Sequence, residues 1–264
     1  LAVMNGFLVE LFSLIIGLNG HIGVYSPGAN LDNYKDLAQK AQALNGVDLV
    51  IPQIEKQVLL SSQGGSSGVL VRGLSKSNFQ EKPLLKSSLI RGSLDKFSGN
   101  SVIIGTELAQ RFRLSLGDQL TLTAPDGKSS PFGTIPRSGR FTIAGVFDVE
   151  MYEYNKGYIF MPLDYARTFF QIGESRVTAL EIFKTSEAGL DGVVKALRAA
   201  LPRDVRVYSW KTTNESFFNA LQVERNVMFL ILTLIILVAA FNIISSMIML
   251  VNDKSRDIAI LRTM

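Results

Sequence analysis

The sequence predicts an α+β domain, split by a β-rich insert, that adjoins a transmembrane helix. Three observations carry this. The stretch from Val227 to Val251 runs 25 residues without an Asp, Glu, Lys or Arg. Two strand-helix-strand patterns lie far apart in the chain, before Leu60 and after Val177. Between them, short alternating segments recur with Gly and Pro at their ends, the pattern of a small β-rich unit.

From the N-terminus, Phe7, Leu8, Leu11, Phe12, Leu14, Ile15 and Leu18 form a helical stripe with Glu10 as its one charge, as expected where a membrane helix leaves the bilayer. Residues 1–20 are therefore read as the end of a first transmembrane segment whose beginning lies upstream. His21 to Tyr25 is predicted as a strand, Asp32 to Leu44 as a helix, and Val47 to Leu60 as a strand broken by Pro52. The matching unit downstream is a strand from Val177 to Phe183, a helix from Ala188 to Leu201 and a strand from Val205 to Trp210. Residues 21–60 and 172–211 are expected to pair as one discontinuous α+β subdomain.

The insert, residues 61–171, is predicted to contain strands at Gly68–Gly73, Ser101–Ile104, Gln119–Thr123, Phe141–Val149 and Gly157–Met161. Helices are expected at Glu107–Phe112 and Leu163–Phe170. Residues 124–140 stand out within it. Pro125, Pro131 and Pro136 are three of the chain's eight prolines, and each removes a backbone donor, so the flanking strands cannot simply zip together. The segment is expected to project as an extended loop or irregular hairpin, with Phe132 at its tip as an aromatic anchor and Arg137 and Arg140 at its base.

Thr212-Thr-Asn-Glu215 has the form of a capping box, opening a helix that runs into the span as one long element, residues 212–251. At about 1.5 Å per residue the charge-free stretch outreaches a hydrocarbon core of roughly 30 Å. Lys254, Arg256 and Arg262 follow the span closely whereas only Arg225 precedes it, which places the C-terminal end in the cytoplasm and the large domain outside. Ala239, Asn242, Ser245 and Ser246 share one face of the span, the kind of small and weakly polar face that packs against other helices. Residues 252–264 continue the helix with Ile258 and Leu261 on one side, and Asp257 to Met264 carries no stop signal, so more protein is expected to follow. This extension reads either as a docking surface or as a helix end resting on lipid headgroups.

Enzymatic chemistry finds little support. Gly64-Gly65-Ser-Ser-Gly68 lacks the Lys and the Ser/Thr of a phosphate loop, and Ser93-Leu-Asp-Lys96 lacks the companion motifs of Ser-x-x-Lys hydrolases. His21 is the only histidine and there is no cysteine, so neither a thiolate nor a multi-histidine metal site can form. No cofactor is implied. The net charge of +4 is spread along the chain, and nucleic acid is not an expected partner.

Three stretches resemble a known family: Met4-Asn-Gly-Phe7 through Gly17-Leu-Asn-Gly-His-Ile22, Ala239-Ala-Phe-Asn-Ile-Ile244, and Asp253-Lys through Asp257-Ile-Ala-Ile-Leu-Arg-Thr-Met264. They are similar to the LolC/LolE permease subunits of the bacterial lipoprotein-releasing ABC transporter, within the wider MacB-like and FtsX-like group. The resemblance implies a MacB-like periplasmic domain in the bacterial inner membrane, and a truncated four-span subunit that is not itself catalytic. Its implied partners are a LolD-like ATPase, a LolE-like second permease or another copy of itself, the periplasmic chaperone LolA, a lipoprotein substrate and membrane lipid. In LolC-type subunits a projecting hook captures the chaperone. The matching residues here are Pro125, Ser130, Pro131, Phe132, Gly133, Ile135 and Pro136, with Arg137 and Arg140 as a less closely aligned basic pad. Ala239, Asn242, Ser245 and Ser246 would line the packing face or lipoprotein path. Arg256, Asp257, Ile258, Leu261 and Arg262 would meet the ATPase. Two alternatives stay open: a MacB-like efflux or FtsX-like signalling permease, and a membrane-anchored periplasmic enzyme.

Overall fold

The computed structural model describes residues 16–27, 30–130, 133–213 and 215–263. The apolar stripe before residue 16, the expected hook tip at Pro131 and Phe132, and Met264 lie outside them. The chain divides into two compact units, one reaching to Trp210 and one starting at Lys211.

In the first unit, a helical turn at residues 16–19 leads through Gly20 into β1 (Ile22–Tyr25), followed by α1 (Tyr34–Gln42), β2 (Val47–Ser62) and β3 (Gly65–Leu74). Two short helices, α2 (Lys76–Glu81) and α3 (Pro83–Ser88), precede β4 (Leu89–Gly92), β5 (Ser101–Gly105) and α4 (Thr106–Phe112). The hairpin β6 (Gln119–Ser130) and β7 (Gly133–Phe147) follows, then α5 (Tyr152–Gly157), β8 (Tyr158–Pro162) and α6 (Leu163–Phe170). The unit closes with β9 (Ala179–Lys184), α7 (Leu190–Ala200) and β10 (Arg206–Ser209). Sequence periodicity missed α2, α3, β4 and α5, which at four to six residues are too short to show a period.

The two expected α+β units do pair: β1 lies between β10 and β9, antiparallel to both, and β9 pairs with the first half of β2. Helices α1 and α7 cover this sheet through Leu37, Ala41, Val193 and Leu197. Pro52 does not break β2 as predicted. It pairs opposite Leu180 where β2 has a strand on one side only, so its missing donor leaves no gap in a ladder. From Ile54 onward β2 changes partner to β3.

The second half of β2 opens a closed circuit. β2 pairs with β3, β3 with β8, β8 with β5, β5 with β7, β7 with β6, and β6 returns to β2 at Leu59–Ser61. Closing the ring removes exposed edges. The period-2 rule assigns its faces. Along β8, Ile159 and Met161 join the main core while Phe160 joins a second core on the other side; in β5, Val102 and Ile104 face the first and Ile103 the second. That second core also takes Phe79, Leu85, Phe147 and Leu18 of the N-terminal turn.

A short helix, α8 (Trp210–Thr213), starts on the last residue of the first unit, two residues before the expected cap, so Thr212 itself lies within a helical turn. The helix α9 (Glu215–Thr263) is 49 residues long, about 74 Å at 1.5 Å per residue. Its apolar stretch Val223–Asn252 is long enough to cross a membrane and is unburied within the chain, the opposite of a soluble core helix.

Candidate functional site

The proline-rich segment is an irregular hairpin rather than an open loop. β6 and β7 pair continuously from Gln119–Thr142 to Ala124–Arg137, then resume at Lys128–Ile135 and continue to Ser130–Gly133. Pro125, Asp126 and Gly127 stand opposite Pro136 alone at the interruption. Pro125 and Pro136 thus both fall where the ladder needs no donor, and this is how two prolines fit into a paired ribbon. Gly127 is required there. A Cβ on it would lie 1.6 Å from the Ile135 carbonyl oxygen.

Past Thr123 on β6 and before Phe141 on β7, each strand has only the other as a described strand neighbour, so the ribbon's ladder continues beyond the ring as a two-stranded one. Its root is fixed by Arg137, whose Nη1 donates to the Phe169 carbonyl at 2.6 Å, and by Lys56 against Asp126 at 2.7 Å. Ile135 is 63% exposed. Beneath the interruption, Leu59, Leu70, Val69, Pro125 and Pro136 line an apolar cleft of about 580 Å³, and Leu59 is an exposed leucine within it. No sequence signal points to this cleft, because its walls come from four strands, β2, β3, β6 and β7.

The structure does not bring the two predicted pad residues to one face. Arg137 and Arg140 lie three apart on a regularly paired stretch of β7, so their side chains leave by opposite sides, and Arg137 is already engaged by Phe169. Arg140 alone is left exposed.

A second polar constellation was not legible in the sequence. Arg72 of β3, Glu55 of β2, Lys82 between α2 and α3, and Glu181 of β9 meet below the 16–19 turn, joined by Arg72–Glu55 at 2.7 Å and Lys82–Glu181 at 2.5 Å. Lys82 and Glu181 are completely buried. Burial pushes the Lys82 ammonium down to about 8, only partly opposed by Glu181, whereas at Arg72 Glu55 and Glu181 outweigh desolvation and raise the guanidinium further.

His21 packs edge-on against Phe183 and accepts from the Lys184 amide through Nδ1; burial, then Lys184, lowers its pKa. Ser93 caps a single 3₁₀ turn by accepting from the Asp95 amide at 3.1 Å, a structural use of the hydroxyl. Among the described residues no group of His, Cys, Asp or Glu is arranged to hold a metal ion. Gly64 and Gly65 belong to the tight turn joining β2 to β3, where Ser62 pairs with Gly65.

On α9, Ala239, Asn242, Ser245 and Ser246 fall within about a third of the helix circumference at 100° per residue, and all four are uncovered within the chain. Arg256, Asp257, Ile258, Leu261 and Arg262 lie on the same unbroken helix, with Ile258 62% and Leu261 73% exposed.

Comparison with known proteins adds to this geometry. The family model for the MacB-like periplasmic core domain matches residues 1–200. The lipoprotein-releasing system transmembrane protein LolC of Neisseria meningitidis is 30% identical, with 100% of this chain and 64% of that protein aligned. LolC of Xylella fastidiosa (strain Temecula1) is 29% identical with the same coverages. LolE of Haemophilus influenzae is 23% identical over 100% of this chain and 64% of its own length. The chain thus spans just under two thirds of these curated relatives. The solved periplasmic region of MacB from Actinobacillus actinomycetemcomitans superposes with a TM-score of 0.48 at 12% identity, covering 75% of this chain and 92% of that one.

Proposed function

The chain belongs to the MacB-like periplasmic core domain family, and from that premise we propose that it is a LolC-type permease subunit of an ABC transporter. In this reading the transporter extracts lipoproteins from the outer leaflet of the bacterial inner membrane and passes them to the periplasmic chaperone LolA. The observation that carries the reading is the isolated β6–β7 ribbon in a chain similar to LolC along its whole length. A two-stranded ribbon with no neighbouring strand buries little of itself and gains by being covered. Exposed Ile135, and Pro131 and Phe132 at the expected tip, would enter the chaperone, and the apolar cleft under Pro125 and Pro136 would be covered in the same event. Arg140 is the pad residue left free to assist; Arg137 holds the ribbon instead.

The subunit supplies mechanics and a partner ATPase of the LolD kind supplies hydrolysis. Ile258, Leu261 and Arg262, with Arg256 and Asp257, would receive the ATPase, and the helix that holds them runs without a break through Asn242. The face of Ala239, Asn242, Ser245 and Ser246 would pack on a LolE-like second permease or a second copy, beside the lipoprotein's path. Photo-crosslinkers at Pro131, Phe132 and Ile135 in the intact membrane complex are expected to trap LolA. If normal amounts of subunit gave no adduct at any of the three, the hook assignment would be withdrawn.

A further inference from the structure

The ribbon and the membrane helix leave unused the most deeply buried charges of the first unit. Arg72 and Lys82 both donate to one acceptor, the Leu18 carbonyl, each at 2.9 Å. The helical turn ends at Asn19, so that carbonyl has no intrahelical donor and two buried cations take the place of one. Arg72 also holds the Asn19 side-chain oxygen at 2.9 Å, and the Asn19 amide donates to the Tyr154 hydroxyl. Leu18 itself is fully buried in the second core. Gly20 follows at φ +66° with no room for a Cβ, which would stand 2.7 Å from Glu181 Cγ.

Four buried or half-buried ions are a poor way to gain stability alone, since an apolar set of the same volume commonly does as well. What they provide is direction. Through them the end of the N-terminal apolar segment is tied to β2, β3, β9 and the α2–α3 link at once, and β2 is also the strand that carries Lys56 and pairs with β6 at the root of the ribbon.

We propose that Arg72 and Lys82 are positioning residues that lock the end of the N-terminal apolar segment to the barrel, so that the two move as one body during transport. The lock rests on the transport reading above for its purpose, but its closure can be measured without cargo. The chain has no cysteine, and a Cβ on Gly17 would lie 3.4 Å from Leu84 Cβ, close to the spacing of a disulfide. The subunit carrying Gly17→Cys and Leu84→Cys, in its membrane complex, should therefore bridge readily on oxidation. Lipoprotein release by the bridged complex should stay within about twofold of the reduced one, because a junction that never opens loses nothing by being sealed. Release abolished by the bridge, with ATPase retained, would overturn the lock.

Arg72→Met with Lys82→Met should lower release per ATP hydrolysed about tenfold while hydrolysis continues. Adding the oxidised bridge to that variant should restore release, and reductant should remove it again; a formed bridge without rescue also overturns the proposal. Should the double Met variant not accumulate, the bridged native cluster decides alone. If the unmodified subunit released no lipoprotein, the transport reading would fail, and the rate of bridge formation with and without the cations would still test the lock: equal rates would overturn it.

Discussion

The lower and upper halves of one hairpin obey different physics. From Gln119 to Thr123 and from Phe141 to Phe147, β6 and β7 are staves of a closed ring, with Leu120, Leu122, Phe141 and Ile143 in the main core. From Pro125 to Ser130 and from Gly133 to Arg140 the same two strands continue as a ribbon with no other strand beside them among the described residues. The ring half is specified by side-chain burial, the ribbon half by backbone chemistry: two prolines placed off the ladder, one glycine without space for a Cβ, and Arg137 on a carbonyl. The two halves share strands but are specified in different ways.

Hydrogen exchange offers the largest contrast. Amides of Leu120 and Leu122 are expected to exchange only through global unfolding, on the order of 5–15 kcal/mol for a domain, and those of Lys128 and Ser129 through local opening at a small fraction of that. Uniform protection along β6 would dissolve the distinction between the halves. Next comes Phe141→Ala. Phe141 is fully buried edge-on to Tyr165 and Phe169, and its truncation is expected to lower stability by about 3–5 kcal/mol, measured by denaturant midpoint in micelles.

Which parts could be read beforehand follows from the same division. The membrane span was legible because length and absence of charge are local properties of Val227 to Val251. The strands of the ring were legible from alternation, but β8 shows the limit: Tyr158–Pro162 reads as an apolar strand without telling that Phe160 serves one core and Ile159 and Met161 another. The proline segment announced an irregularity, and the pairing that resumes at Lys128–Ile135 depends on a backbone fit no composition reveals. The Arg72, Glu55, Lys82 and Glu181 cluster was invisible for a plain reason. Lys82 and Glu181 are 99 residues apart, and each charge alone reads as solvated surface.

Gly127→Ala separates shape from stability. The added methyl cannot coexist with the Ile135 carbonyl, so the ribbon must change register or open at the interruption, while the ring below keeps every core contact. Global stability is expected to fall by less than about 1 kcal/mol, as for changes that leave the core untouched, and LolA crosslinking through Ile135 to drop about tenfold. A large loss of stability would mean that ribbon and ring are one cooperative unit.

The smallest effect belongs to the Lys56–Asp126 pair at the ribbon's root. The geometry is good at 2.7 Å and Lys56 is only 26% exposed, but Asp126 is 68% exposed, so water and salt reach the pair and screen much of the attraction. Lys56→Ala or Asp126→Ala should therefore shift local stability of the ribbon by no more than about 0.2–1 kcal/mol, and the shift should shrink at high salt. Hydrogen exchange at Lys128 and Ser129 in low and high salt reads this directly. A salt-insensitive loss would mean that Lys56 acts through its aliphatic stem, packed along β2, and that the ribbon draws its orientation from apolar contact at the cleft rather than from charge.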